Sequence, residues 1–273
     1  MSGAARPARD RAGRSHLHRA WTPRSGIRLS VVIPTMNEAR SIGWVLDGLP
    51  EEVDEVIVVD GRSTDGTVEA AKLARPDARV VLEPRRGKGV AIRAGFAAAR
   101  GDFVVMIDAD GSMDPAEIRR CLASLRDRRG GDSSGGYDLV KGSRFLRGGG
   151  TADMSPIRAL GNDVLRRMVN VLYGVEFSDF CYGLIGMRRD CAAALGLRRD
   201  GFEIEAEILL RAIASGMRIG EVASLEAPRL HGESNLSAWR DGRRVLRTIL
   251  AERFIPDVAA PPISAPASVT ALA

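Results

Sequence analysis

Between Leu29 and Asp108 the chain alternates short β-branched runs with helical stretches, and this alternation limits its possible folds more than any other feature. LSVVIP (29–34), EVIVVD (55–60), ARVVLE (78–83) and DFVVMID (102–108) read as buried strands. Helical patterns over 38–49, 67–74 and 88–100 separate them. Strands apolar on both faces and joined through helices form a parallel sheet with crossover connections. The expected fold class is therefore α/β, with a Rossmann-like, mostly parallel central sheet flanked by helices. After Asp114 the order loosens into a helix (115–127), a Gly/Ser loop (130–136), a strand DLVKGS (138–143) and a helix-rich second half with one more strand near 219–225. No internal repeat is found. This second half is expected to shape an acceptor pocket.

The ends differ from the middle. Residues 1–28 are rich in Arg, Ser, Gly and Ala, and residues 256–273 in Pro and Ala, so both are expected to be disordered, leaving 29–255 as a single domain. The arm also accounts for the charge. It holds seven arginines against Asp10, a net of +6, whereas the whole 273-residue chain carries +5, so the body carries 5 − 6 = −1. A near-neutral body is not built to neutralise a nucleic-acid backbone, although the arm alone can touch anionic lipid or nucleic acid weakly. Cys121, Cys181 and Cys191 are odd in number and lack metal spacing, which points to a reducing compartment and no zinc site. No run of 18 apolar residues is present, and the Arg-rich start lacks the apolar segment of a secretory signal. The expected location is the cytoplasm, with at most peripheral contact at the inner face of the membrane.

In an open α/β sheet, ligands gather at the carboxyl ends of the strands. The first strand is followed by Pro34-Thr35-Met36-Asn37-Glu38, which lacks the Gly-rich turn of a dinucleotide site, and Gly87-Lys88 lacks the earlier glycine of a P-loop. The second strand ends in Asp60, placed to accept hydrogen bonds from a base or ribose, while Asp65 is placed to cap the following helix. The fourth ends in Asp108-Ala109-Asp110. Residues two apart on an extended chain face the same side, so both carboxylates should point into one site. Two anions there repel, and a hard divalent cation, Mg²⁺ or Mn²⁺, resolves the repulsion. Helix capping does not need them, because Asp114-Pro115-Ala116-Glu117 supplies an N-cap and a proline at the first helical position.

These motifs carry a resemblance. Val32-Ile33-Pro34-x-x-Asn37-Glu38, Val59-Asp60-Gly61-x-Ser63-x-Asp65-Gly66-Thr67, Arg86-Gly87-Lys88-Gly89 and Asp108-Ala109-Asp110 resemble the ordered motifs of family 2 of the inverting glycosyltransferases, which have the GT-A fold. The second half is similar to the polyprenyl (dolichol) phosphate hexosyltransferases. There the matches are Lys141-Gly142-Ser143-Arg144-Phe145 with Gly148-Gly149, Arg158 before Gly161-Asn162, Asp179 before Tyr182-Gly183, Gly201-Phe202 with Glu207, and Arg229 before Gly232-Glu233-Ser234. The resemblance covers roughly residues 29 to 250 and implies roles. Pro34, Asn37, Glu38 and Asp60 would line a nucleoside pocket. Lys88, Asp108, Ala109 and Asp110 would meet the ribose, diphosphate and metal. Arg144, Arg158 and Arg229 would grip donor or acceptor phosphate, a task suited to guanidinium forks.

Three positions depart from the pattern: Ser112 stands where those enzymes have a glutamine, Asn235 replaces a lysine and His231 replaces a tyrosine. His231, the one histidine of the body, is a candidate third metal ligand. Of Glu203, Glu205 and Glu207, at the expected start of a helix, at least one should serve the helix terminus, and only Glu207 falls on the family position.

The implied activity is metal-dependent transfer of a hexose from a nucleotide sugar, of the GDP-mannose or UDP-glucose type, to a polyprenyl phosphate with inversion. A phosphate acceptor needs no general base. For an alcohol acceptor, Asp179, preceding a strand that faces the second half, is the candidate base. The alternatives are a soluble or secondary-metabolite acceptor, a nucleotidyltransferase, and a non-catalytic binder of nucleotide sugars.

Overall fold

The computed structural model describes residues 26–126, 136–232, 236–254 and 268–272. The elements run β1 (Leu29–Thr35), α1 (Ile42–Asp47), β2 (Glu55–Asp60), α2 (Thr67–Ala74), β3 (Arg79–Leu82), α3 (Lys88–Ala98) and β4 (Phe103–Met106). A 3-10 turn (Pro115–Glu117) then leads into α4 (Ile118–Arg126), followed by β5 (Leu139–Ser143), β6 (Gly150–Thr151), α5 (Pro156–Tyr173), β7 (Ile185–Arg188) and α6 (Arg189–Ala194). The chain continues through α7 (Ile204–Ala214), β8 (Arg218–Ala223), β9 (Leu225–Glu226) and α8 (Ala238–Phe254) to β10 (Ser268–Leu272). One sheet has the order β10-β8-β5-β7-β4-β1-β2-β3, and β6 and β9 form a separate ribbon. All pairings in the large sheet are parallel except those of β7, which runs antiparallel to both β4 and β5. The α/β class, with its mostly parallel sheet flanked by helices, is as expected.

Alternate residues of β1 and β2 feed two apolar layers. Val32, Ile57 and Val59 pack with Ile92 and Phe96 of α3 and with Leu209 of α7. Val31, Ile33 and Val58 pack with Ile42, Val45 and Leu46 of α1 and with Ile118 and Leu122 of α4. Strands buried on both faces hold the sheet between helical layers, which leaves the strand ends for chemistry. The expected cap at Asp114 is formed, its carboxylate accepting from the Ala116 amide at 2.9 Å. Asp65 acts from two residues before its helix, with Gly66 at the N-cap, binding the Thr67 amide and hydroxyl at 3.1 and 2.5 Å and the Ala39 amide at 3.0 Å.

The structure departs from expectation in three places. Helix α1 begins at Ile42 and not at Glu38, because the Glu38 amide is taken by the Thr67 hydroxyl at 2.8 Å and Asn37 adopts φ +59°. The strand after Asp179 is β7, and its antiparallel course interrupts the parallel series. Within the stretch read as a disordered C-terminal tail, Ser268–Leu272 pairs with β8 as an edge strand, half-burying Val269 and Leu272 against the two layers. Most of the N-terminal arm and residues 127–135, 233–235 and 255–267 lie outside the described residues. Among the described residues no helix is long and apolar enough to cross a membrane.

Candidate active site

The carboxyl ends of β1 and β4 open onto a cavity of about 380 Å³ that also takes its walls from the second half. Of the residues singled out from sequence, Pro34, Glu38, Lys88, Asp108, Ala109, Asp110, Arg144, Arg158 and Arg229 line it. Helix α3 begins at Lys88, so its side chain projects from the first turn toward the loop after β4. Lys88 Nζ lies 2.6 Å from Asp108 Oδ1 and 2.6 Å from Glu205 Oε1. Arg229 Nε and Nη2 stand 3.0 and 2.9 Å from Asp110 Oδ2, and Nη2 is 3.4 Å from Glu38 Oε1.

Electrostatics shows that these carboxylates share one environment. Burial raises the Asp108 pKa against the pull of Lys88, and the negative charges of Asp110 and Glu205 push it further up. Glu38 is raised as well, by burial and by the charges of Asp110 and Asp108, against the Ser41 hydrogen bond and Arg229. Asp110 moves the other way: burial opposes ionisation, but the Ser112 amide at 2.9 Å and Arg229 hold it below the usual carboxylate range. Lys88 is held more firmly charged than a free lysine, since Asp108 and Glu205 outweigh its burial. Asp108 and Asp110 are hard oxygen donors facing one cavity at mutually repulsive range, a donor set that suits Mg²⁺ or Mn²⁺. Among the described residues no cluster of three or more His, Cys, Asp and Glu is arranged to hold a metal alone. A diphosphate would have to complete the coordination.

Asp60 and Asn37 stand beside this cavity rather than in its wall. Asp60 lies in a neighbouring hollow with Ser63, Thr67 and Glu83. Its Oδ2 accepts from the Ser63 amide at 3.1 Å, while its buried Oδ1 has no hydrogen-bond partner. An orphaned buried carboxylate oxygen is costly unless a ligand donor meets it. Asn37 is exposed and clasps the loop after β2, accepting from the Thr64 amide at 2.8 Å while its own amide donates to the Ser63 hydroxyl at 2.8 Å.

Two candidates are corrected. Asp179 is 0% exposed and is not in the cavity wall. Arg144 Nε binds its Oδ2 at 2.7 Å and Nη2 its Oδ1 at 3.0 Å, and the charges of Lys141 and Arg144 lower its pKa although burial raises it. A carboxylate sealed in this way cannot collect a proton from an acceptor; it fixes Arg144 instead. His231 is exposed and does not line the cavity, so it is not brought to the carboxylate pair. Glu207, the position favoured by motif, is fully buried and binds the amides of Arg198 and Arg199 at 2.9 and 2.8 Å. Glu205 faces the cavity in its place. Glu226 and Asp153 also line it and had no sequence signal: Glu226 meets Arg144 from 82 positions away, and Asp153 pairs with nearby Arg158 outside any motif. The cysteines are free, and burial pushes each thiol up to about 12.

Comparison with known proteins bears on this geometry. Residues 30–196 match the family model described as Glycosyl transferase family 2. The chain is 34% identical over 230 residues to the low-salt glycan biosynthesis hexosyltransferase Agl6 of Haloferax volcanii, covering 81% of this chain but only 53% of that relative. It is 30% identical over 225 residues to the dolichyl-phosphate hexose transferase of the same organism, covering 81% of this chain and 92% of that one. Among solved structures, glucosyl-3-phosphoglycerate synthase from Mycobacterium tuberculosis, in complex with Mn²⁺, UDP and phosphoglyceric acid, superposes with a TM-score of 0.67 at 26% identity. The match covers 86% of this chain and 81% of that one. The same synthase has also been solved with Mg²⁺ and UDP.

Proposed function

The chain belongs to glycosyl transferase family 2, and on that premise we propose that it moves a hexose from a nucleotide sugar to a polyprenyl phosphate, with metal dependence and inversion at the anomeric carbon. The observation that carries this reading is the convergence of Asp108, Asp110, Lys88 and Arg229 on one cavity at the carboxyl edge of the sheet. Asp108 and Asp110 would hold Mg²⁺ or Mn²⁺, which when bound supplies positive charge to the diphosphate leaving group. Lys88 and Arg229 add fixed positive charge beside it and favour the transition state, in which negative charge grows on the diphosphate. The unpartnered Oδ1 of Asp60, in the hollow beside the cavity, is assigned to a donor group of the nucleoside, with Pro34 and Glu38 in the cavity wall and Asn37 holding the loop after β2 next to them. Ala109 keeps the backbone between the two aspartates close to the donor.

Arg144 and Arg158 are assigned to the acceptor phosphate. An acceptor that is already an anion attacks without a general base, which agrees with the sealed position of Asp179. The name of the dolichyl-phosphate relative supports a lipid phosphate acceptor. The phosphoglyceric acid bound in the structural neighbour supports a second reading, a soluble acceptor that also carries phosphate. A cytoplasmic, membrane-peripheral location belongs to the first reading. It is supported by exposed Ile157, Leu160 and Val164 on α5, the helix that also carries Arg158.

The test is release of UDP or GDP from a panel including UDP-glucose and GDP-mannose, with Mn²⁺ and a short polyprenyl phosphate or 3-phosphoglycerate. Release should require metal and fall about 10²-fold or more in Asp110→Ala, at an unchanged melting temperature. Full activity in that variant would remove the metal site from the proposal. Release of pyrophosphate would mark a nucleotidyltransferase, and binding without turnover a non-catalytic module.

A further inference from the structure

A second charged cluster lines the cavity, and the β6–β9 ribbon builds it. Thr151 and Glu226 are register partners there, and the Glu226 carbonyl accepts from the Ala152 amide at 2.8 Å, so the backbone under Glu226 is fixed. Its carboxylate accepts two hydrogen bonds and faces a second cation. The Thr151 hydroxyl donates to Oε2 at 2.5 Å, Arg144 Nη1 donates to the same oxygen at 3.1 Å, and Arg158 Nη2 lies 3.8 Å from Oε1.

Neither arginine needs this carboxylate for neutrality. Arg144 is held from behind by both oxygens of Asp179 and by the Cys181 carbonyl at 2.7 Å, which with Glu226 uses four of its five N–H groups. Arg158 binds the Asp153 carboxylate at 3.3 Å and its carbonyl at 3.1 Å. Two cations thus face two other acids, and Glu226 is a surplus negative charge, 8% exposed, at a cavity wall. Its side-chain torsions can turn it aside without moving the ribbon.

We infer that Glu226 is the built-in occupant of an anion seat formed by Arg144 Nη1, Arg158 Nη2 and Thr151 Oγ1, which the phosphate of the acceptor takes by displacing it. This rests on the reading of the chain as a glycosyltransferase with a phosphate-bearing acceptor. The exchange sets specificity. A phosphate monoester replaces one anion by another and restores every donor's partner, whereas a neutral alcohol brings no charge to displace Glu226 and finds the seat taken. Glu226 therefore excludes uncharged acceptors and lowers the affinity for charged ones, as an internal competitor does.

The experiment reads binding rather than turnover. Inorganic phosphate is titrated calorimetrically into the full chain and its variants in the presence of Mg²⁺ and UDP, with UDP affinity measured separately. Glu226→Gln keeps an acceptor for Thr151 and Arg144 but removes the charge. It should bind phosphate about tenfold or more tighter than the wild type. Adding Arg158→Met should abolish the gain, and UDP affinity should change in neither variant. Unchanged phosphate affinity in Glu226→Gln, or a gain that survives Arg158→Met, would overturn the inference. Should the Gln variant not fold, Glu226→Asp, which shortens the reach into the seat, carries the same comparison. Geranyl phosphate and 3-phosphoglycerate are then tested as competitors. Displacement by either supports the seat, the tighter one naming the lipid or soluble source, and displacement by neither overturns it as an acceptor site. Loss of UDP binding in the wild type would instead count against the donor assignment, leaving the phosphate comparison to be read without UDP.

Discussion

Asp179 and Asp108 are both aspartates beside a buried cation, yet their carboxyl groups shift in opposite directions. Burial disfavours ionisation in each, but Asp179 meets Lys141 and Arg144 with no competing acid among its main influences, while Asp108 shares Lys88 with Glu205 and faces Asp110. The first is a structural ion pair and the second an unsettled cluster open to a ligand. Replacing Asp179 by Asn leaves Arg144 without its main counter-charge and should cost on the order of 3 kcal/mol at neutral pH. Because the folded-state carboxyl lies below its unfolded value, that advantage is fully present above about pH 4 and is lost as pH falls through the depressed value. Melting curves of wild type and Asp179→Asn should therefore stay a constant distance apart from pH 7 to about 4 and converge below it. At this scale the sequence reads unevenly. The Asp108–Asp110 spacing was legible because two residues on one strand end share a side by backbone geometry alone. The sealing of Asp179 by Arg144, 35 positions away, depends on tertiary contact that no local pattern encodes.

Helix α3 shows how an element carries the site. Gly95 lets it lie against β1 and β2, since a Cβ there would come 2.3 Å from Val32 Cγ1 and 3.1 Å from Val59 Cγ2. Both contacts belong to branched side chains locked in the core, so they cannot yield cheaply. Gly95→Ala should destabilise the fold by about 1–3 kcal/mol. As Lys88 begins the same helix, it should also weaken UDP binding. Differential scanning calorimetry and UDP titration check the two effects, and an unchanged melting temperature would contradict the packing argument. The strands of the first half were legible because β-branched runs apolar on both faces have few other uses. Strand β7 is only four residues long, and its direction is set by neighbours on either side, so its antiparallel course was not.

Across the whole molecule, one sheet separates two apolar layers and presents its carboxyl edge to the cavity, so ligands act on the joint between the halves. A ligand that binds only the folded form stabilises it by mass action, by about 2.7 kcal/mol at a hundredfold excess over Kd. For a domain of this size that corresponds to a rise in melting temperature of roughly 5–11 °C. Mn²⁺ with UDP or GDP should produce such a rise in the wild type and little in Asp110→Ala. The halves were legible as a class, the alternating first and the looser second, but the fit of β6 and β9 into the cavity wall follows from long-range closure. Strand β10 has a further consequence. By pairing from Ser268 opposite Arg218 to Leu272 opposite Val222, the last described residues occupy main-chain groups of β8 that would otherwise lie bare. A chain cut short before Ser268 would move the sheet's open rim inward from β10, whose Ser268, Thr270 and Ala271 are exposed, to β8, whose Ile219 and Val222 are buried, so clipping of this end by a protease offers a more apolar strand to a second molecule.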